Sequence, residues 1–339
     1  MKIINAMFSK VDGGLEQVFL HYTPLLKQQG NEVISVIHPK ARIRDQCLKE
    51  NVLTVHNFNQ HDPVAIFKLR RLVSKTSPDC VITHSYRAAY LFKKTKTKVP
   101  KIAVCHVNTH YNFGTDGIIA LTEAMRRDII QSGIPKNRVV TVPNMIDIPD
   151  TCLFKLPIKR DIPVIGACAR FSDIKGIDIF IEALALLKKK KIPFKALIAG
   201  DGPEKERYIT LIHYHGLQDH IQLLGWITDK NAFYQALDIF CLPSREESFG
   251  LVILESMTHS LPMVLSALSG PKEIIGDSQS ALLVEPANPS EMASGLERII
   301  TNQALADELA FNAFQRVQSY SYRSVGPLLQ AGLETIIRS

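Results

Sequence analysis

Pro243-Ser244-Arg245-Glu246-Glu247-Ser248-Phe249-Gly250-Leu251-Val252-Ile253-Leu254-Glu255 decides how this chain is read. The apolar run Ile239–Pro243 leads into it and a helical run leaves it, so the segment is a strand, a turn and a helix in succession. Its turn carries a serine and a glycine that expose backbone N–H groups, and a helix N-terminus adds unpaired amides and a positive dipole end for an anion. Two carboxylates, Glu247 and Glu255, stand eight positions apart around that turn. If all eight steps were helical they would lie about 12 Å apart along the axis. A retaining glycosidase needs its carboxyl groups about 5–5.5 Å apart. The pair therefore suits different parts of one long ligand, a nucleotide diphosphate carrying a sugar. Glu247 reaches the sugar, Glu255 accepts from ribose hydroxyls, and Ser248, Phe249, Gly250 and Leu251 hold the phosphates. Plain helix-surface glutamates are the alternative.

Working outward, apolar runs at Val164–Ala169, Lys195–Ala199, Ile221–Leu224, Met263–Ser266 and Leu282–Glu285 alternate with helical segments near Ile177–Lys191, Glu204–His215, Lys230–Leu237 and Leu251–His259. Such alternation predicts a parallel sheet covered on both faces, with ligands beyond the carboxyl ends of its strands. The loops at those ends carry the other candidates. Arg170 and Lys175 are two cations five residues apart before a helix, the first able to fork onto phosphate oxygens and the second a point charge. Gly200 and Gly202, in Gly200-Asp201-Gly202-Pro203, would let a ligand approach the backbone closely. Trp226 and Ile227 would offer a flat apolar surface to a nucleobase, although a lone tryptophan more often belongs to a core.

The first half has the same rhythm. Strand-like runs at Ile3–Phe8, Val33–Ile37, Asn51–His56, Cys80–His84, Ile102–Val107, Ile118–Leu121 and Val139–Val142 enclose helices at Leu15–Gln29, Pro63–Ser74, Tyr86–Lys94 and Glu123–Ser132. A break at Pro143–Asp150, with the polar stretch up to Asp161, reads as a linker. Two doubly wound α/β domains facing a cleft are expected, at 1–148 and 149–321, with an amphipathic helix at 322–339 crossing back to the first. Asp12, Gly13 and Gly14 open a helix after the first strand and would close over the same diphosphate; G-x-G-x-x-G is absent, which argues against a dinucleotide enzyme. His106, with His110 and Tyr111 beyond it, stands at a strand end, where a histidine is either structural or aimed at a ligand.

The 339 residues carry 46% hydrophobic and 22% charged residues, an ordinary globular balance with room for two cores. Up to Asp150 there are 21 Lys and Arg against 12 Asp and Glu, and beyond it 19 against 21. All the net positive charge thus lies in the first half, with Lys68, Arg70, Arg71, Lys93, Lys94, Lys96, Lys98 and Lys101 as its main elements. A basic domain facing an acidic or membrane-bound acceptor is one reading, solvated helix ends the other. Nucleic acid is not expected, since no aromatic residues interleave these lysines and no recognition motif accompanies them. The six cysteines form no metal-ligand pattern and suit reduced thiols in a cytoplasm. No stretch has the length of a membrane span, and the N-terminal apolar run is too short for a signal segment.

The 243–255 segment, Arg170 with Lys175, Gly200-Asp201-Gly202-Pro203, Gly225-Trp226 and Val142-Pro143-Asn144-Met145-Ile146-Asp147 together resemble the retaining GT-B glycosyltransferases of family 4, which include lipopolysaccharide-core enzymes. The likeness spans nearly the whole chain; the Gly13-Gly14 loop and His106 also resemble the family's first domain. Ser260, and Ser269-Gly270-Pro271-Lys272-Glu273 in place of a two-glycine turn, depart from its pattern. The resemblance implies a nucleotide-sugar donor bound mainly by the second domain and a saccharide or lipid-linked saccharide acceptor bound mainly by the first. It implies a hexosyl- or N-acetylhexosaminyltransferase of the bacterial envelope, cytoplasmic or peripheral on the inner face of the cytoplasmic membrane. Arg170, Lys175, Glu247 and His106 would be catalytic. No Asp-x-Asp occurs, so no metal and no cofactor is expected, with the cations in the metal's place. A GT-B sugar-nucleotide epimerase and a non-catalytic sugar-nucleotide-binding protein are the alternatives.

Overall fold

The computed structural model describes residues 1–11, 13–47, 52–107, 114–156 and 160–338. They form two compact units, Met1–Asp147 with Tyr320–Ser339, and Ile148–Ser319.

In the first unit, β1 (Lys2–Met7), α1 (Gly14–Gln28), β2 (Glu32–Ile37), the short α2 (Arg44–Cys47), β3 (Val52–Thr54), α3 (Pro63–Thr76), β4 (Cys80–Thr83), α4 (Tyr86–Lys94), β5 (Lys101–Cys105), β6 (Gly117–Ala120), α5 (Glu123–Gln131) and β7 (Val139–Thr141) follow in order. The strands pair in parallel in the order β3-β2-β1-β4-β5-β6-β7. The inner strands β1, β4, β5 and β6 are buried almost throughout, which is why they read as continuous apolar runs rather than alternating ones, whereas the edge strands β3 and β7 are partly open. Helix starts follow their side chains: Asp62 accepts from the amides of Val64 and Ala65 with Pro63 behind it, and Ser85 and Thr122 cap α4 and α5.

The second unit runs β8 (Val164–Cys168), α6 (Ile177–Lys189), β9 (Lys195–Ala199), α7 (Lys205–Tyr214), β10 (Ile221–Gly225), α8 (Lys230–Gln235), β11 (Ile239–Leu242), α9 (Leu251–Thr258), β12 (Met263–Ser266), α10 (Ser269–Ile275), β13 (Leu282–Val284), α11 (Pro289–Thr301) and α12 (Gln303–Val317). Its parallel sheet has the order β10-β9-β8-β11-β12-β13. In both sheets the strand order reverses beside the first strand, the switch point at which open α/β sheets bind ligands. α10 was not expected: Ser269-Gly270-Pro271 reads as a turn, yet a helix starts there with Gly270 packed on the backbone of Phe249, where an added Cβ would lie 2.8 Å from Cα.

The last helix, α13 (Tyr322–Arg338), belongs to the first unit. It buries Tyr322, Val325, Leu329, Leu333 and Ile336, and Tyr322 OH meets His21 Nδ1 at 2.6 Å. None of the six cysteines is in a disulfide, and no helix among the described residues is long and apolar enough to cross a membrane.

Candidate functional site

In the second unit the site is assembled from four strand-to-helix loops. The loop after β8 carries Arg170 and Lys175, and the loop after β11 carries Glu247. Lys175 Nζ lies 2.7 Å from Glu247 Oε2, and Ser244 Oγ also donates to that oxygen at 3.4 Å. Glu247 is only 12% exposed, so this ion pair is sheltered and its geometry fixed. Arg170 is exposed and its guanidinium has no hydrogen bond or ion pair among the described residues, a free cation beside the Lys175 turn.

Helix α9 starts at Leu251 behind Gly250, whose φ of +105° is a conformation few side chains tolerate. That twist turns the chain from the Glu247-Ser248-Phe249 loop into the helix. Phe249 is buried and Ser248 half-buried. Only the latter half of the interval from Glu247 to Glu255 is helical, and the two carboxylates hold separate partners. Lys230 Nζ donates to Glu255 Oε1 and Tyr234 OH to Glu255 Oε2, each at 2.6 Å. Burial and then Glu255 itself raise the Tyr234 phenol well above its ordinary pKa, so it remains a donor. Burial and then Glu255 likewise push Cys168, beneath this pair, up to about 12.

Gly200 and Gly202 approach protein rather than open space. A Cβ at Gly200 would lie 1.8 Å from the Ala169 carbonyl oxygen and one at Gly202 2.3 Å from that of Phe171. These glycines let the Arg170 loop lie directly on the turn after β9, fastened by the Phe171 amide to the Asp201 carbonyl. On the side where a Cβ would stand, both glycines are thus filled by the chain itself. Trp226 is 54% exposed at the end of the edge strand β10, outside the core, with Ile227 half-buried beside it.

Sequence reasoning missed the clamp that joins three of these loops. Arg245 forks onto Asp178 at 2.8 and 2.7 Å and donates to the Asp173 carbonyl, while its own amide bonds Ile174. Arg207 adds a bond to Asp178 at 3.0 Å and others to Asp173 and Glu204. Burial pushes the Asp178 carboxyl up, but the Arg245 fork and Arg207 outweigh it and hold the group below its ordinary range. The clamp fixes the 173–175 turn that presents Lys175.

In the first unit, Gly13 caps α1 in extended backbone, where a Cβ would lie 3.2 Å from Glu16 Oε2, while a Cβ on Gly14 would meet nothing within 4 Å. Asp12, His110 and Tyr111 lie outside the described residues. His106 follows β5 half-buried, its Nε2 3.3 Å from Nδ1 of the fully buried His84. Burial lowers His106 to about 3. Lys101 does not belong to the basic surface: it is buried in β5, its ammonium on the Thr97 carbonyl. Among the described residues no group of three His, Cys, Asp or Glu side chains is placed to hold a metal.

Residues 150–316 match the family model described as glycosyl transferases group 1, and residues 12–149 match that of glycosyltransferase family 4. The chain is 26% identical over 319 residues to the lipopolysaccharide core biosynthesis glycosyltransferase LpsE of Rhizobium meliloti (strain 1021), covering 91% of this chain and 92% of the relative. It is 26% identical over 290 residues to a poly(ribitol-phosphate) alpha-N-acetylglucosaminyltransferase of Staphylococcus aureus (strain COL), covering 79% of this chain and 58% of that protein. Its fold matches the crystal structure of Anabaena Alr3699/HepE in complex with UDP-glucose, with a TM-score of 0.83, 19% identity and coverage of 99% and 100% of the two chains.

Proposed function

We propose that this chain, which belongs to the group 1 glycosyltransferases of GT-B fold, moves a hexose or N-acetylhexosamine from a nucleotide sugar to a saccharide or lipid-linked saccharide of the bacterial surface, with retention of configuration. The observation that carries the reading is the sheltered Lys175–Glu247 pair beside the free Arg170 and the amides at the start of α9. One loop cluster thereby offers cations for a diphosphate and a carboxylate for sugar hydroxyls.

In the proposed reaction the acceptor hydroxyl oxygen bonds to the anomeric carbon from the face the leaving group departs. The bond from that carbon to the β-phosphate oxygen breaks, and the hydroxyl proton passes to the departing phosphate. Charge building on the diphosphate is met by Arg170, Lys175 and the Gly250 and Leu251 amides, electrostatic stabilisation by donors already in place. No metal is assigned a part. Glu247 binds the sugar, Glu255 the ribose, Trp226 and Ile227 the base; His106 orients the sugar, and the α1 start at Gly13 and Gly14 serves the diphosphate. The tightly packed Gly200 and Gly202 act by shaping the Arg170 loop.

The named relatives are a glycosyltransferase of lipopolysaccharide core biosynthesis and a poly(ribitol-phosphate) alpha-N-acetylglucosaminyltransferase, and the structural neighbour is a complex with UDP-glucose. These support an envelope acceptor and a uridine nucleotide. A peripheral place on an anionic cytoplasmic leaflet is supported by the outer face of α3, where Phe67 and Val64 stand exposed among Lys68, Arg70 and Arg71, with Phe58 nearby in sequence.

A thermal-shift and donor-hydrolysis screen across UDP-, GDP-, ADP- and CMP-sugars tests the reading. A donor at a hundred times its Kd stabilises by about 2.7 kcal/mol, a shift one nucleotide class should produce. Glu247→Ala should keep the fold and abolish transfer. A flat response to every donor, or unchanged turnover in Glu247→Ala, would sink the assignment.

A further inference from the structure

A buried polar line in the first unit ends at His106. Asn5, in the middle of β1, is fully buried, and its Nδ2 donates to the Phe19 carbonyl at 3.3 Å and to Thr23 Oγ1 at 3.1 Å. A carbonyl only accepts, so the amide must stand with Nδ2 toward Phe19 and Oδ1 toward His84. His84 Nε2 lies 2.9 Å from that oxygen and therefore carries its proton. Tyr22 and Phe19 set their rings edge-on to the His84 ring at 4.5 and 5.5 Å, apolar walls that disfavour a second proton. His84 Nδ1 is thus a lone pair, and His106 Nε2, 3.3 Å away, can only donate to it. Burial keeps both rings neutral, so the one lone pair left on His106 is at Nδ1. That nitrogen has no partner among the described residues.

We infer that Asn5 and His84 are positioning residues that fix His106 as the neutral Nε2–H tautomer and present its Nδ1 as an acceptor for a hydroxyl of the transferred sugar; the sugar contact rests on the role proposed above for His106. The three residues come from β1 and from the ends of β4 and β5, neighbours in one parallel sheet, so the register of the strands sets the line. Thr23 continues it to Ser35 Oγ at 2.9 Å, which leaves the amide no reason to turn over. A neutral acceptor here selects a hydroxyl, which brings a proton, against a carboxylate or phosphate oxygen, which brings none.

Nitrogen NMR of the full chain with labelled histidine, at neutral pH, reads the tautomer directly, with His106 assigned by its loss in His106→Ala. The wild type should show His106 protonated at Nε2 alone. His84→Phe keeps a ring among its aromatic neighbours but removes the acceptor, and His106 should then exchange between both neutral forms. His84→Gln restores an acceptor oxygen and should restore the single tautomer. The value of kcat/KM for transfer should fall about tenfold in His84→Phe and recover most of that loss in His84→Gln, the scale of one directed hydrogen bond. A wild-type His106 protonated at Nδ1, or at both nitrogens, overturns the inference. So does a folded His84→Phe protein with an unchanged His106 spectrum. If His84→Phe does not fold, the wild-type spectrum decides alone. A fixed Nε2–H tautomer together with full transfer by His106→Ala would uphold the positioning by Asn5 and His84 and remove the sugar contact.

Discussion

At the scale of single residues, the second unit spends its strongest pairing on orientation. The Arg245 fork onto Asp178 touches none of the residues assigned to the donor, yet it holds the turn that carries Lys175. Asp178 is 6% exposed, so its charge depends on those two guanidiniums. Its folded pKa is depressed, so the stabilisation is complete above the unfolded carboxyl value near 3.8 and is lost as pH falls through the lower folded value. Asp178→Asn should therefore cost about 2–3 kcal/mol at neutral pH. The gap from wild type should stay constant down to about pH 4 and close below it. Urea melts of both proteins across that range check this; a gap that persists unchanged in acid would contradict the clamp. None of it was legible in the sequence, because Asp178 and Arg245 lie 67 residues apart. Lys230 and Tyr234 did leave a signal, a cation and a phenol four apart on one helix.

At the scale of elements, strands and helices were readable for a physical reason. A parallel strand covered on both faces must be apolar throughout, and Lys195–Ala199 and Met263–Ser266 were placed residue for residue. What failed was whatever depends on contact between elements: α10 at its Ser-Gly-Pro start and the burial of Lys101. The last helix is the sharpest case of an element stabilised by another part of the chain. Tyr322, Val325, Leu329, Leu333 and Ile336 are buried when α13 packs on the first unit. At about 1.5–3 kcal/mol each, these five side chains contribute roughly 8–15 kcal/mol before chain entropy is charged. That matches the whole stability of an ordinary domain, roughly 5–15 kcal/mol. A chain ending at Ser321 should leave Met1–Asp147 open to protease while Ile148–Ser319 stays resistant. Equal resistance of both units in limited proteolysis would show that α13 is dispensable.

At the scale of the molecule, the charge asymmetry and the exposed apolar residues make separable demands on a lipid surface. Cations near an anionic leaflet contribute about 1 kcal/mol each, and salt screens them, the Debye length falling from about 30 Å at 0.01 M to about 8 Å at 0.15 M. Aromatic and aliphatic side chains entering the headgroup layer are not screened in this way. Phe67 is 67% exposed and Phe58 78%, with Lys68, Arg70 and Arg71 exposed along the same helix as Phe67. Replacing Lys68 and Arg71 by glutamate removes two cations, about 2 kcal/mol, and should weaken binding to anionic vesicles at least about 30-fold at low salt. Phe67→Ser should instead weaken the part of binding that survives at high salt. Neither variant alters a residue assigned to the donor, so hydrolysis of the nucleotide sugar should continue at the wild-type rate. Sedimentation with vesicles over a salt series measures both effects; wild-type protein that ignores anionic vesicles at low salt would remove the membrane from the proposal and leave the transferase standing.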